Sequence, residues 1–178
     1  MRGRKSRPAF VFALLASAAL ASSASAADYY LISGNANQIT VIDADSITPN
    51  IHGATAPLVA IRRAAVTANL NFAYAVVQSD FDCAGHRVAG TSMTLFGSDG
   101  RPSAVQPSSS GEDVWQPISP NTQAESAWAF VCAKSADRPS MSFRLTGLTL
   151  EKIVSSIFDG TWPYDEVLAR RQSSQAKP

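Results

Sequence analysis

Apolar and polar residues alternate over several short segments in the first half of the chain, and β-branched and aromatic residues are frequent in them. This pattern is typical of half-buried strands. It predicts five strands, at residues 29–32, 38–43, 57–66, 71–82 and 87–96. Short turns end several of them, one marked by Asn69 and Asn71 and another at residues 97–100, and no crossover helix intervenes. We therefore expect an antiparallel sheet.

Two longer segments do not follow this pattern and are predicted to be loops. Residues 47–55 contain proline, asparagine and glycine, and residues 101–119 are rich in serine, proline and glycine. These residue types favour turns and interrupt strands. Trp115 lies inside the second segment. Because this side chain is large and apolar, we expect it to pack against the domain rather than extend into solvent.

The alanine-rich residues 121–132 predict a helix, with Ser119 as its cap and Pro120 in its first turn. Residues on one face recur at spacings of three and four, namely Ala124, Ala127, Trp128, Val131 and Cys132. This face should pack on the sheet. Cys132 then ends a helix that faces a core, and Cys83 ends a strand, so a bond from strand to helix is the natural geometry for the two cysteines.

The remaining residues, 134–178, form a tail with a different pattern. Residues 141–145 predict a short strand, and an apolar stripe at helical spacing predicts a helix that Asp159-Gly160 ends. The stripe consists of Leu150, Ile153, Val154, Ile157 and Phe158. A second short helix is expected within residues 161–171, and the last six residues, SSQAKP, are expected to be disordered.

The tail helix has three interpretations. It docks on the sheet, it forms a contact in a homodimer, or it binds another protein. Docking is the simplest of these. For the other two, Ile153, Ile157 and Trp162 are the candidate contact residues.

The first 26 residues have the organisation of a secretory signal peptide. Four basic residues, Arg2, Arg4, Lys5 and Arg7, precede an apolar run at 9–20, and Ala24-Ser25-Ala26 offers small residues to a signal peptidase. The apolar run is too short to span a membrane, for which about 20 residues are needed. We expect cleavage after Ala26 or Ala27 and therefore an exported protein, in the periplasm, on the cell surface or secreted.

Removing the signal peptide changes the charge of the chain. The mature chain keeps 11 of the 15 Lys and Arg residues against 14 Asp and Glu, a net charge of −3. This balance argues against nucleic-acid binding, which depends on clustered Lys and Arg that neutralise phosphates. About 150 residues remain, enough for one domain with its own core, and no later run is long enough to span a membrane.

Both cysteines lie in the exported part, where oxidising conditions and an even count favour a disulfide between Cys83 and Cys132. The segment around Cys83, SDFDCAGHR, leaves two alternatives open. Cys83 is a nucleophile with His86 as its base, or it joins Asp80, Asp82 and His86 in a metal site. The adjacent carboxylates disfavour a thiolate, and the mixture of ligands lacks a recognised metal-binding spacing, so both alternatives rank below the disulfide.

Other enzyme motifs and cofactor-binding patterns are not found in the sequence, and we expect no cofactor and no metal. Asp43 and Asp45 flank a turn and are better explained by capping than by acid–base catalysis. Arg62 and Arg63 lie in a predicted strand, where neighbours point to opposite faces, so one of them is able to line a groove for a polyanion. Arg87 begins the predicted strand at residues 87–96. These three arginines are the basic candidates for a binding surface.

Three stretches of the chain resemble the surface-adhesin protein E-like family of small exported proteins from Gram-negative bacteria. Residues 39–47, ITVIDADSI, resemble its strand that ends in an Asp-x-x-Ser-Ile turn. Residues 79–88, SDFDCAGHRV, resemble its Asp-Cys strand end followed by a basic residue. Residues 112–132, EDVWQPISPNTQAESAWAFVC, resemble its tryptophan loop, short helix and closing cysteine. Together they occur in family order within residues 28–133.

The resemblance implies an α+β domain, an antiparallel sheet with a packed helix held by a Cys83–Cys132 disulfide. It places this domain at residues 27–133, after the signal peptide at 1–26 and before the tail at 134–178. It also implies a non-enzymatic binding protein, with a host extracellular-matrix or serum protein as its partner. An envelope protein is the other candidate partner. The alternative is a periplasmic structural or assembly partner that acts through the tail helix. A thiol-dependent enzyme is the least favoured interpretation.

Overall fold

The computed structural model describes residues 27–35, 37–63, 72–107 and 115–162, and these contain nine strands and three α-helices. The strands are β1 Tyr29–Gly34, β2 Gln38–Asp43, β3 Thr48–Asn50, β4 Gly53–Arg62, β5 Tyr74–Asp82, β6 Arg87–Phe96, β7 Pro102–Pro107, β8 Gln116–Pro117 and β9 Phe143–Arg144. The helices are α1 Gln123–Cys132, α2 Arg138–Met141 and α3 Leu150–Phe158. The α+β class is confirmed.

All the strands belong to one antiparallel sheet, in the order β7-β6-β5-β4-β2-β1-β9. Two short strands widen it at one end: β3 pairs with the start of β4, and β8 pairs with the start of β6. We call this end, where β5 also finishes, the disulfide end. The predicted antiparallel sheet without crossover helices is confirmed.

The two longer helices cover opposite faces of the sheet. Period-2 alternation sends successive residues of each strand to different faces. One core contains α1 with Tyr30, Ile32, Ile42, Ala54, Ala56 and Phe81. The other contains α3 with Leu31, Ile39, Val41, Val59, Ile61 and Tyr74. Along β4 and β5, α1 covers the disulfide end and α3 covers the opposite end.

Both predicted loops contain strands that the sequence pattern did not indicate. In the first, β3 and β4 form a tight hairpin, because the Asn50 side-chain oxygen accepts hydrogen bonds from the backbone N–H groups of His52 and Gly53, both at 2.8 Å. In the second, β7 is an edge strand. Proline is tolerated on an edge strand, since its missing N–H can face away from the ladder. The proline content of both segments therefore did not exclude strands.

The helices also differ from their predicted bounds. Thr122, not Ser119, caps α1, and its side-chain oxygen accepts a hydrogen bond from the N–H of Glu125. Phe130, which was not assigned to the buried face, is 1 % exposed. The short helix α2 was not predicted. The apolar stripe of α3 and its end at Asp159-Gly160 are as predicted.

The segment after the second cysteine contributes to the same sheet and core as the rest. β9 pairs with β1 at Tyr30 and Leu31, and α3 packs over β4 and its neighbours. The simplest interpretation of the tail helix, docking on the sheet, is therefore what the structure shows.

Several predictions fall on residues outside the described ranges. These are the signal peptide at 1–26, the hairpin marked by Asn69 and Asn71, the second tail helix beyond Trp162, and the final SSQAKP segment. Within the described part of the chain, no helix is long and apolar enough to cross a membrane.

Candidate functional site

Cys83 and Cys132 form a disulfide that joins the end of β5 to the end of α1, with their Cα atoms 5.5 Å apart. Gly53 lies directly against it. A Cβ atom at this position would be 2.6 Å from the Cys83 sulfur, and its φ of +152° is a conformation that side chains disfavour. The predicted disulfide is confirmed. Because both thiols are consumed, a nucleophilic Cys83 and a thiol-dependent enzyme are wrong for this structure.

Asp82 organises the turn that follows Cys83. Its carboxylate accepts a hydrogen bond from the Gly85 backbone N–H at 2.7 Å and from the Arg87 guanidinium at 2.6 Å. The Arg87 side chain first, and the Gly85 N–H next, hold the pKa of Asp82 below its ordinary value. Its backbone carbonyl accepts a hydrogen bond from the Trp128 indole N–H at 3.2 Å. Asp82 thus fixes both Arg87 and α1 relative to the sheet.

Each of the two histidine side chains packs against a tryptophan ring. His86 has a φ of +53° and meets Trp128 edge to face, with ring centroids 4.3 Å apart. His52 meets Trp115 in the same way at 5.1 Å. His52 also accepts a backbone hydrogen bond from Cys83 at 3.2 Å. Edge-to-face ring contacts stabilise such arrangements.

The candidate metal ligands likewise have other partners. Cys83 is in the disulfide, Asp82 binds Arg87, and Asp80 accepts a hydrogen bond from the Thr55 hydroxyl. Within the described residues, no group of three or more His, Cys, Asp and Glu side chains is placed to hold a metal ion. These side chains therefore have structural contacts at the disulfide end instead of forming a metal centre.

An exposed aromatic and basic surface lies at the disulfide end. We define the disulfide-end surface as Ile51, His52, Arg87 and Trp115. The Arg87 guanidinium lies over the Trp115 ring, 5.6 Å from its centroid. The salt bridge to Asp82 holds the Arg87 side chain in this position. Ile51, at the tip of the β3–β4 hairpin, is 95 % exposed. An exposed apolar residue at the same end of the sheet as a half-buried tryptophan and an arginine gives this end the composition of a protein-binding surface.

Comparison with known proteins also supports a protein-binding role. The family model for surface-adhesin protein E matches residues 29–133, more than half of the chain. The chain belongs to the surface-adhesin protein E family. No curated protein and no solved structure matches it. Membership of a surface-adhesin family implies an exported or surface protein, and the match ends one residue after the second cysteine of the disulfide.

In this adhesin-family chain, the predicted basic residues do not form one surface. Arg62 ends β4 and stacks over Phe72 at 5.0 Å, and Arg63 follows it. β4 begins at the disulfide end, so both arginines lie about 30 Å from it, at about 3.3 Å per residue. Arg87 is at the disulfide end itself. Asp43 caps the short 3₁₀ turn Ala44–Ser46, as predicted.

The predicted apolar contact residues of the tail are not surface residues. Ile153 and Ile157 are 0 % and 1 % exposed, buried between α3 and the sheet. Trp162 packs, partly buried, against the same core. In this arrangement, neither isoleucine can contact a partner or a second copy of the chain, because the sheet already covers both side chains.

Sequence reasoning missed most of the disulfide-end surface. Ile51, His52 and Trp115 were assigned to loops, and only the packing of Trp115 was expected. These residues come from segments more than 60 positions apart. The pairing of β3 with β4 and of β8 with β6, inside segments predicted to be loops, brings them together. The one local signal was a lone tryptophan in a segment rich in serine and proline.

Proposed function

We propose that the protein acts by binding rather than by catalysis, as an adhesin-like protein that binds a host extracellular-matrix or serum protein through the disulfide-end surface. The single observation that supports this most is the exposed Ile51, His52, Arg87 and Trp115 surface in a chain of the surface-adhesin family. Tryptophan and arginine are the residue types that most often dominate the binding energy of protein interfaces.

The rigidity of this surface favours binding. Trp115 contacts both His52 and Arg87, Arg87 is held by Asp82, and the backbone of His52 is hydrogen-bonded to Cys83. The disulfide joins the same end of the sheet to α1. Side chains already fixed in the free protein lose less conformational entropy on binding, which strengthens the complex.

The test is binding of the mature chain, residues 27–178, to immobilised matrix glycoproteins and serum proteins by surface plasmon resonance. We expect saturable binding to at least one of them. Trp115→Ala should raise its Kd by about thirtyfold, the change expected for a hot spot worth about 2 kcal/mol. Ile51→Ser should weaken the same complex by about tenfold, and because Ile51 packs so little, this variant keeps the fold.

Val105→Ser is the matched control. Val105 is also a large exposed apolar residue, 66 % exposed, but it lies on the edge strand β7 away from the surface. Its Kd should stay within about twofold of the wild-type value, since most exposed contacts outside a hot spot contribute little. Absence of saturable binding to any matrix or serum protein would disprove the adhesin role, and equal losses for all three variants would disprove the assignment of the surface.

Export is tested separately, by sequencing the amino terminus of the protein from cell fractions. Cleavage of the signal peptide predicts a mature chain that begins at Ala27 or Asp28. An adhesin further requires a fraction exposed to protease on intact cells. A protein confined to the periplasm would contradict adhesion and favour the periplasmic alternative.

A further inference from the structure

The residues that directly follow the expected signal-peptide cut are bound into the fold. Asp28 donates its backbone N–H to the Asp43 carboxylate at 3.1 Å, and its carbonyl accepts a hydrogen bond from the Ala44 N–H at 2.8 Å. β1 then begins at Tyr29, which pairs with Asp43 of β2. Both backbone hydrogen-bonding groups of Asp28 are therefore occupied, one residue after Ala27.

The tail holds the same residues from the other side of β1. The Arg144 guanidinium donates a hydrogen bond to the Asp28 carboxylate at 2.6 Å, and the two groups form a salt bridge. The Leu145 N–H donates to the Tyr29 carbonyl at 2.8 Å, next to the pairing of β9 with β1. The start of β1 is thus enclosed between β2 and the segment that contains β9.

A small cleft shows how closely the tail approaches Ala27. Ala27 is half-buried and lines this cleft of about 170 Å³ together with Tyr29 and residues 147–150. The volume is below the range of about 300–1,000 Å³ for ligand clefts, so the cleft indicates packing rather than a ligand site. The tail residues in these contacts all lie after residue 133, where the family match ends. Enclosing the amino terminus is therefore a task of the segment outside the family domain.

The expected cut lies directly against the enclosed strand. Cleavage after Ala26 breaks the bond to the Ala27 nitrogen, and one residue spans at most about 3.6 Å, so the hydrogen-bonded N–H of Asp28 is that close to the cut. Cleavage after Ala27 breaks the bond to the Asp28 nitrogen itself. A protease binds the backbone on both sides of its cut in extended form and needs those groups unpaired. The fold and a signal peptidase therefore compete for the same backbone.

We propose that signal-peptide removal has to precede docking of the tail, and that β9 and the segment after it then enclose the mature amino terminus. This inference rests on the export and cleavage proposed above. The order of the chain favours it, because Asp28 and Arg144 are 116 positions apart and Arg144 is exported long after Asp28. The cut is accessible while the tail has not yet reached the sheet, and it is covered afterwards.

The test is cleavage of the folded, oxidised precursor, residues 1–178, by purified signal peptidase, followed by mass spectrometry. A second precursor carries six Gly and Ser residues between Ala27 and Asp28, which move the cut away from the fold. The wild-type precursor should be cut about thirtyfold more slowly than this spacer variant. Its cut requires the opening of three hydrogen bonds of backbone groups, at about threefold each.

The matched control carries the same six residues between Ser98 and Asp99, in the β6–β7 turn. This insertion lengthens the chain equally but leaves the amino terminus enclosed. Its precursor should be cut as slowly as the wild type.

A substitution tests the contribution of the tail. Arg144→Gln removes the salt bridge to Asp28, so the folded precursor should be cut about twofold to fivefold faster, as expected for an exposed pair. Arg101→Gln is its control, because it removes another exposed arginine–aspartate pair, in the β6–β7 turn, and should leave the rate unchanged.

The outcomes separate this inference from the proposals on which it rests. Equal rates for the wild type and the spacer variant would overturn it, because the folded terminus would then be open to the peptidase. Acceleration by the insertion at Ser98 as large as that by the spacer would also overturn it, since general destabilisation would explain both. Absence of cleavage in every precursor would overturn the export proposal and this inference with it. Failure of matrix-protein binding concerns only the disulfide-end surface and leaves the inference in place.

Discussion

The two longer helices cover opposite faces of one sheet and are held there in different ways. α1 buries Ala127, Phe130 and Val131, and a disulfide fixes its C-terminal end. α3 buries Ile153, Val154 and Ile157 and has no covalent link to the sheet. The two helices bury three residues each, but only α1 is also covalently attached.

Polar contacts supplement the disulfide at α1. The Trp128 indole donates a hydrogen bond to Asp82, and the Arg138 guanidinium donates to the carbonyls of Phe130 and Val131 at 3.2 and 3.0 Å. Both carbonyls belong to the last turn of the helix, whose carbonyl groups have no hydrogen-bond donor within the helix. For α3, each buried isoleucine contributes about 1.5–3 kcal/mol through removal of apolar surface from water. Only the attachment of α1 therefore depends on an oxidising compartment.

Loss of the disulfide has the largest expected effect. Cys83 and Cys132 are separated by 49 positions, and closing a loop of that size lowers the entropy of the unfolded chain enough to stabilise the fold by about 4 kcal/mol. Replacing both cysteines by alanine should lower the free energy of unfolding by about that amount. Urea denaturation of the variant and of the wild type measures the difference.

Hydrogen exchange of the same variant sharpens the comparison. If the disulfide is the main attachment of α1, exchange in residues 123–132 should accelerate more than exchange in residues 150–158. Equal acceleration in the two helices would show that the disulfide acts on the unfolded chain alone. A loss of less than about 1 kcal/mol in urea would contradict the importance of the disulfide altogether.

Truncation of an α3 side chain has the next largest effect. Ile157→Ala leaves a cavity where the side chain is 1 % exposed, and such substitutions cost about 2–5 kcal/mol. We expect a loss of about 3 kcal/mol in the free energy of unfolding, and the same loss when the disulfide is absent, because distant sites contribute additively. Val105→Ala, on an exposed residue, should change it by less than about 0.5 kcal/mol. A loss that depends on the disulfide would show that the two faces are coupled.

The sequence predicted α3 better than α1 because their patterns differ in strength. Five apolar residues at helical spacing defined the face of α3, and the structure buries the central three. For α1, abundant alanine identified a helix but not its start, because Ser119 and Thr122 are both acceptable caps. β2 and β6 were predicted with their observed bounds, since their β-branched residues end at clear turns.

The candidate site was harder to predict than the fold. The disulfide follows from compartment and residue count, but the surface beside it depends on β3 and β8, two very short strands inside segments with a turn-like composition. A three-residue or two-residue strand has too few positions for alternation to be detected. The contact of Trp115 with His52 and Arg87 depends on those pairings, so local patterns could not reveal it.

The smallest expected effect concerns Asp82 and appears only in acid. Since its pKa is lower in the folded protein than in the unfolded chain, the carboxylate stabilises the fold above the unfolded value of about 3.9, and this contribution is lost as the pH falls below it. Asp82→Asn should therefore lower Tm at pH 7, and its difference from the wild type should shrink towards pH 3. A difference that stays constant with pH would mean that Asp82 acts through hydrogen-bond geometry that asparagine cannot reproduce.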